Sequence, residues 1–112
     1  MKGFDRVAIA ARIRGLIAGQ DGGDPALIAT RLRVDEVGLR MSIDDLAPNP
    51  TIDVIAAIVS TYGVDPAWLL HGEYDAATHR GVLEGAESVQ QAVSRLMLPV
   101  ATAKHGNTLR LL

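Results

Sequence analysis

Asp24-Pro25-Ala26-Leu27-Ile28-Ala29-Thr30-Arg31-Leu32-Arg33-Val34-Asp35-Glu36-Val37-Gly38-Leu39-Arg40-Met41 is the stretch on which the reading of this chain turns. Asp24 followed by Pro25 reads as an N-cap and a first helical residue. The carboxylate accepts from the free N–H groups of the first turn, and proline has no N–H to leave unpaired there. Leu27, Ile28 and Leu32 are spaced as the inward residues of a short helix. Arg33-Val34 leaves room only for a tight connection. Asp35 then caps a further helix with Val37, Leu39, Ile43 and Leu46 as its apolar positions. That period is poorer, and Gly38 inside it costs about 1 kcal/mol relative to alanine. Two short helices meeting at a corner are predicted over residues 24–46.

The flanks repeat the same devices. Ile9, Ile13, Leu16 and Ile17 fall on one helical stripe, with Arg12 and Arg14 off it. Gly22-Gly23 predicts that this helix stops near Gly19. Pro48-Asn49-Pro50 is a firm break. Thr51 caps a fourth helix with the stripe Ile55, Ile58, Val59 and Tyr62, and Gly63 occupies the place of a left-handed C-terminal cap. Asp65-Pro66 predicts a fifth helix, Pro66 to Leu70, closed by Gly72. Trp68, the single tryptophan, reads as a core anchor. Residues 73–84 read as a polar connection. A sixth, amphipathic helix follows, with Ala86, Val89, Val93, Leu96 and Met97 on its apolar stripe and Pro99 at its end. The alternating runs Val100–Lys104 and Thr108–Leu112, around His105-Gly106-Asn107, predict a small hairpin. The expected fold class is all-α. A five-helix domain of helix-turn-helix type spans residues 5–74, and a C-terminal helix and tail span 75–112.

Composition narrows the function classes. The chain has 112 residues, 48% hydrophobic and 21% charged, the balance of a single folded domain. Aromatics are 4%, so the core must be aliphatic. Cysteine is absent, which removes disulfides and thiol chemistry and fits a reducing cytoplasm. The longest charge-free run, Val54 to Val64, is far short of the about 20 residues that span a bilayer. Asp5, Arg6, Arg12 and Arg14 interrupt any secretory leader. A cytoplasmic protein without a membrane partner is expected. Net charge is −2, which excludes a globally basic nucleic-acid binder but not a local basic patch. The middle of the chain is strongly acidic: Asp35, Glu36, Asp44, Asp45, Asp53, Asp65, Glu73 and Asp75 face Arg40 alone.

The stretch Ala26-Leu27-Ile28-Ala29-Thr30-Arg31-Leu32-Arg33-Val34-Asp35 resembles the second helix and turn of the Cro and phage-repressor type, the xenobiotic-response-element family of bacterial regulators. Thr61-Tyr62-Gly63-Val64-Asp65-Pro66-Ala67-Trp68-Leu69-Leu70-His71-Gly72-Glu73 is similar to that family's closing motif, and Asn49-Pro50-Thr51 to the start of its fourth helix. The resemblance covers about residues 5–74. It implies a transcriptional regulator that binds double-stranded DNA as a dimer and reads bases from the third helix. On this chain the implied contacts are Arg31, Arg33, Glu36, Val37, Arg40 and Met41. The sequence departs from the family at Pro25, where an amide side chain is usual, and at Arg33, where glycine is usual.

Physical chemistry pulls against the implied reading head. Base edges are commonly read by bidentate Arg, Asn and Gln, each pair worth about 1–3 kcal/mol of discrimination. Here Glu36 could accept from a cytosine amine and Val37 could touch a thymine methyl, but Asp35, Asp44 and Asp45 surround them. A second function class therefore stands beside the first: the same fold used as a protein-interaction or structural module without DNA binding. The stripe of the sixth helix must be buried on the parent domain or against a second copy, which would make it a dimerisation element. No catalytic constellation is visible, because the serines have no neighbouring histidine, so no enzyme activity is expected. No cofactor or metal is expected either. Asp75 and His79 would share a helix face only if that segment were helical.

Overall fold

Aspartate and threonine side chains begin most of the helices in this chain. The computed structural model describes residues 5–97. Within them the α-helices are α1 (Arg6–Ile17), α2 (Pro25–Leu32), α3 (Glu36–Ser42), α4 (Ile52–Tyr62), α5 (Pro66–His71), α6 (Ala76–Leu83) and α7 (Val89–Met97). A short 3-10 turn, Gln20–Gly23, separates α1 from α2. The Asp5, Asp24, Asp35, Thr51, Asp65 and Asp75 side chains accept from first-turn N–H groups of α1 to α6 in order. Each satisfies donors that the helix itself cannot. Gly63 and Gly72 close α4 and α5 in the left-handed conformation. No strand occurs among the described residues, and the hairpin expected at 100–112 lies outside them.

One aliphatic core serves all of this. Ile9, Ile13 and Ile17 of α1, Ile28 and Leu32 of α2, Leu39 of α3, Val54, Ile55, Ile58 and Val59 of α4, and Leu69 and Leu70 of α5 are buried together. Trp68 packs against the outside of this cluster, half-buried. Val93 of α7 belongs to the same cluster, with Val89, Leu96 and Met97 packed around it. α7 lies across α4 and α5. Its apolar stripe is thus taken up within the chain.

Four sequence expectations are corrected. Residues 73–84 are not simply a connection, since α6 forms there on the Asp75 cap. Ala86 precedes α7 and is exposed; Ala92 is the small residue that α7 buries instead. Leu27 is not inward but 54% exposed. α3 stops at Ser42, so that of its expected apolar positions only Leu39 is buried, while Val37 is 61% and Leu46 92% exposed. The short helix cannot turn all four toward one side.

Candidate functional site

The corner between α2 and α3 is built by backbone geometry at one residue. Arg33 takes the left-handed conformation, φ 61 and ψ 44. This lets Arg33 N–H donate to the Thr30 carbonyl at 3.2 Å and Val34 N–H to Ala29 at 3.0 Å, which closes the C-terminus of α2. Asp35 then restarts the chain as α3, its carboxylate accepting from Gly38 N–H at 3.0 Å. The C-terminal end of α3 is pinned to α4. Thr51 N–H donates to Ser42 Oγ at 3.2 Å, and Ser42 Oγ donates to the Gly38 carbonyl at 2.8 Å. Asn49 N–H donates to the Met41 carbonyl at 2.8 Å. The helix is fixed at both ends, and its outer face, with Val37 and Met41 one turn apart, stays exposed.

The cations around this corner are not equivalent. Arg31 forms a two-pronged bond to Asp21, 2.8 Å from Nε and 2.8 Å from Nη2. That bond holds the Asp21 carboxyl below its ordinary range and raises the Arg31 guanidinium. Arg40 donates to Glu36 one turn earlier on α3, at 2.7 Å. Arg33 is exposed and has no carboxylate within ion-pair distance among the described residues. The expected site residues are therefore brought together as Glu36, Val37, Arg40 and Met41 on the face of α3 and Arg33 at the corner. Arg31 is drawn away to the 3-10 turn.

Arg12 and Arg14, which the sequence places off the apolar stripe of α1, are ties. Arg12 Nη1 donates to the Leu69 carbonyl at 2.9 Å and so joins α1 to α5. Arg14 Nη1 donates to the Ile43 carbonyl at 2.7 Å and lies 3.6 Å from Asp45. Only three-dimensional proximity assigns these roles, because the partners lie 57 and 29 residues away. Acidic groups dominate what remains: Asp35, Asp44, Asp45 and Asp53 are exposed around α3 and the start of α4.

The Asp75–His79 pair does fall on one helix, and both members are committed to the fold. Asp75 accepts from Ala77 N–H at 3.1 Å and from Thr78 Oγ1 at 2.8 Å. The Thr78 hydroxyl is the main reason its carboxyl is held below the usual range. The His79 ring bridges the Gly63 carbonyl, 2.9 Å, and the Tyr74 hydroxyl, 3.0 Å. Among the described residues no group of three histidine or carboxylate side chains is placed to hold a metal ion, and no helix is long and apolar enough to cross a membrane. No protein-family model matches this chain, and neither a curated protein nor a solved structure matches it.

Proposed function

We propose that residues 5–74 form a helix-turn-helix unit of the Cro and phage-repressor type that binds double-stranded DNA and regulates transcription in the cytoplasm. α2 lies over the phosphate backbone and α3 presents Glu36, Val37, Arg40 and Met41 to base edges. The observation that carries this reading is the corner at Arg33: a guanidinium without an ion-pair partner among the described residues, beside a short helix pinned at both ends with its outer face uncovered. Residues 75–112 are an accessory element. The protein acts as a twofold dimer, through a surface other than the α7 stripe, which its own chain already covers. The proposal includes no catalytic step.

Duplex DNA binding measured at about 50 mM and about 200 mM salt tests it, because phosphate contacts release counterions and give a steep loss of affinity. Binding at low salt that falls across this range is expected, and no binding at low salt overturns the proposal. Arg33→Glu should weaken binding on every sequence alike and flatten the log–log salt slope by about 1, since a phosphate contact carries no base information.

A second reading, the same fold used as a protein-interaction module, is favoured by a different observation. Arg31 and Arg40 are already paired with carboxylates, while Val37 and Leu46 are exposed beside acids. A surface of that kind suits a protein partner better than a polyanion.

A further inference from the structure

The outer side of α3 and the turn after it keep large apolar side chains in water. Val37, Met41 and Leu46 are all exposed, Leu46 almost completely. Val37 and Met41 lie one turn apart on the helix. The turn that carries Leu46 comes back to the end of α3, where Asn49 N–H donates to the Met41 carbonyl. Ile52, 38% exposed, follows Thr51, whose N–H donates to Ser42 at the same helix end. A single exposed apolar residue needs no explanation, but several gathered at one end of a domain mark a place of contact. This place is also ordered in advance. Asp44 accepts from Leu46 N–H at 3.0 Å and from Ala47 N–H at 2.7 Å, which fixes the turn. A partner therefore loses little affinity to ordering it.

Charge selects the kind of partner. Asp35, Asp44, Asp45 and Asp53 are exposed around these side chains, and Glu36 stands half-buried at the start of α3. Arg40 is paired with Glu36 at 2.7 Å, Arg14 lies 3.6 Å from Asp45, and Arg33 stands at the corner. Carboxylates outnumber guanidiniums here. A second copy pressed on the same face by a twofold axis would set these acids against their own images. An anionic lipid surface meets the same repulsion. Among the described residues there is no strand, and hence no sheet edge for a partner to extend. Contact must come from side chains packing on a helix, which is how an amphipathic helix binds. We propose that this face binds a basic amphipathic helix of a partner protein. Its apolar stripe covers Val37, Met41 and Leu46, and its flanking lysines or arginines lie against Asp44, Asp45 and Asp53. This rests on the protein-interaction reading of α3 and names its partner class; a helix seated there excludes duplex DNA from the same surface.

The probe is a dye-labelled synthetic helix of about 14 residues, or about four turns, with leucines on one face and lysines on the other. A twin peptide carries glutamate at every lysine position. Fluorescence anisotropy with the full chain should show one-to-one binding of the lysine peptide at low salt, a severalfold loss at high salt, and no binding of the glutamate peptide. The Val37→Ser, Met41→Ser double variant should bind about tenfold more weakly, as loss of a central apolar contact does. Asp45→Asn with Asp53→Asn should weaken binding severalfold, and Glu84→Gln, at the end of α6, should leave it unchanged. Circular dichroism of each variant should match the parent, which separates lost binding from lost folding. No binding of the lysine peptide, equal binding of both peptides, or an affinity that neither α3-face variant changes would each overturn the proposal. The DNA reading stands or falls apart from it. Salt-dependent duplex binding by a protein that ignores the lysine peptide overturns this proposal alone, and peptide binding by a protein that ignores the duplex overturns the DNA reading alone.

Discussion

Asp21 and Arg33 are the non-glycine residues with positive φ among residues 5–97, at 48° and 61°. Left-handed backbone costs an L-residue on the order of 1 kcal/mol, so each needs a reason to persist. For Arg33 the reason is the closure of α2 and the corner that follows. For Asp21 it is the bond to Arg31, two residues before that corner, which ties the 3-10 turn to the side of α2. Because Arg31 holds the folded Asp21 carboxyl below its ordinary range, the sign of the linkage is fixed. The contribution is full above the unfolded value near pH 3.9 and disappears as pH falls through the lower folded value. Asn tolerates the same backbone conformation, so Asp21→Asn isolates the charge. In urea titrations the parent should be the more stable of the two above about pH 5, and the gap should narrow as pH falls below the ordinary carboxylate range; a gap constant with pH would refute the assignment. Gly72 shows the opposite economy: φ is +82, and a Cβ there would lie 2.6 Å from Arg12 Nη2. The Arg12 tie to Leu69 and the glycine that ends α5 are one feature of packing.

Helices here are short, and each is secured at its ends more than along its length. Asp65 is the clearest case: buried, it accepts from Ala67 and Trp68 N–H at the start of α5 and, at 2.6 Å, from the N–H of Asp75, the residue that caps α6. One carboxylate thus joins two helix starts, and a buried acceptor of this kind is satisfied by the backbone that it organises. α3 is the exception in composition, since Gly38 lies in its interior. A Cβ at Gly38 would meet Val54 Cγ2 at 3.9 Å, an ordinary contact, so neither space nor backbone angle requires glycine there. Gly38→Ala should therefore stabilise the protein by about 0.5–1 kcal/mol, read as a rise in urea midpoint. If the midpoint falls, the α3–α4 contact is tighter than the ordinary spacing suggests. The same helix shows how far pattern reading reaches. The Asp35 cap and the buried Leu39 were legible in sequence. The length of α3 was not, because its end is set by Ser42 and Thr51 across the following turn.

At the scale of the molecule, α7 is part of the body. Val93 is fully buried in the cluster that includes Ile9, Ile55 and Leu69. Glu87 and Arg95 brace the helix from outside with bonds of 2.9 and 2.8 Å. Val93→Ala removes two buried methyl groups and should cost about 2–3 kcal/mol, the transfer loss plus the cavity left behind. Trp68, on the α5 helix that α7 covers, supplies the probe. Its fluorescence and the helical circular dichroism should shift together to lower urea in one transition. A Trp68 transition that stays where it was would mean that α7 unfolds on its own.

The stripe of that last helix was visible in the spacing of Val89, Val93, Leu96 and Met97, yet whether it met its own domain or a second copy was not. The sequence does not mark α6, because its few apolar residues, Val82 and Leu83 among them, draw no stripe and Asp75, a cap like Asp24 and Asp65, lacks the proline that follows those two. The candidate face divides in the same way: the acids of the middle segment and the position of Arg33 at the corner were readable, whereas the pairing of Arg31 with Asp21 was not.

Local chemistry written into the chain determined where the helices of residues 5–71 begin and, α3 apart, where they end, since caps, prolines and glycines act on neighbours within a few residues and need no distant partner. Tertiary structure alone decided which arginines remain available and which side of α7 is covered. Those outcomes depend on groups tens of residues apart meeting across the core, and a periodic pattern carries no information about which surface it will meet.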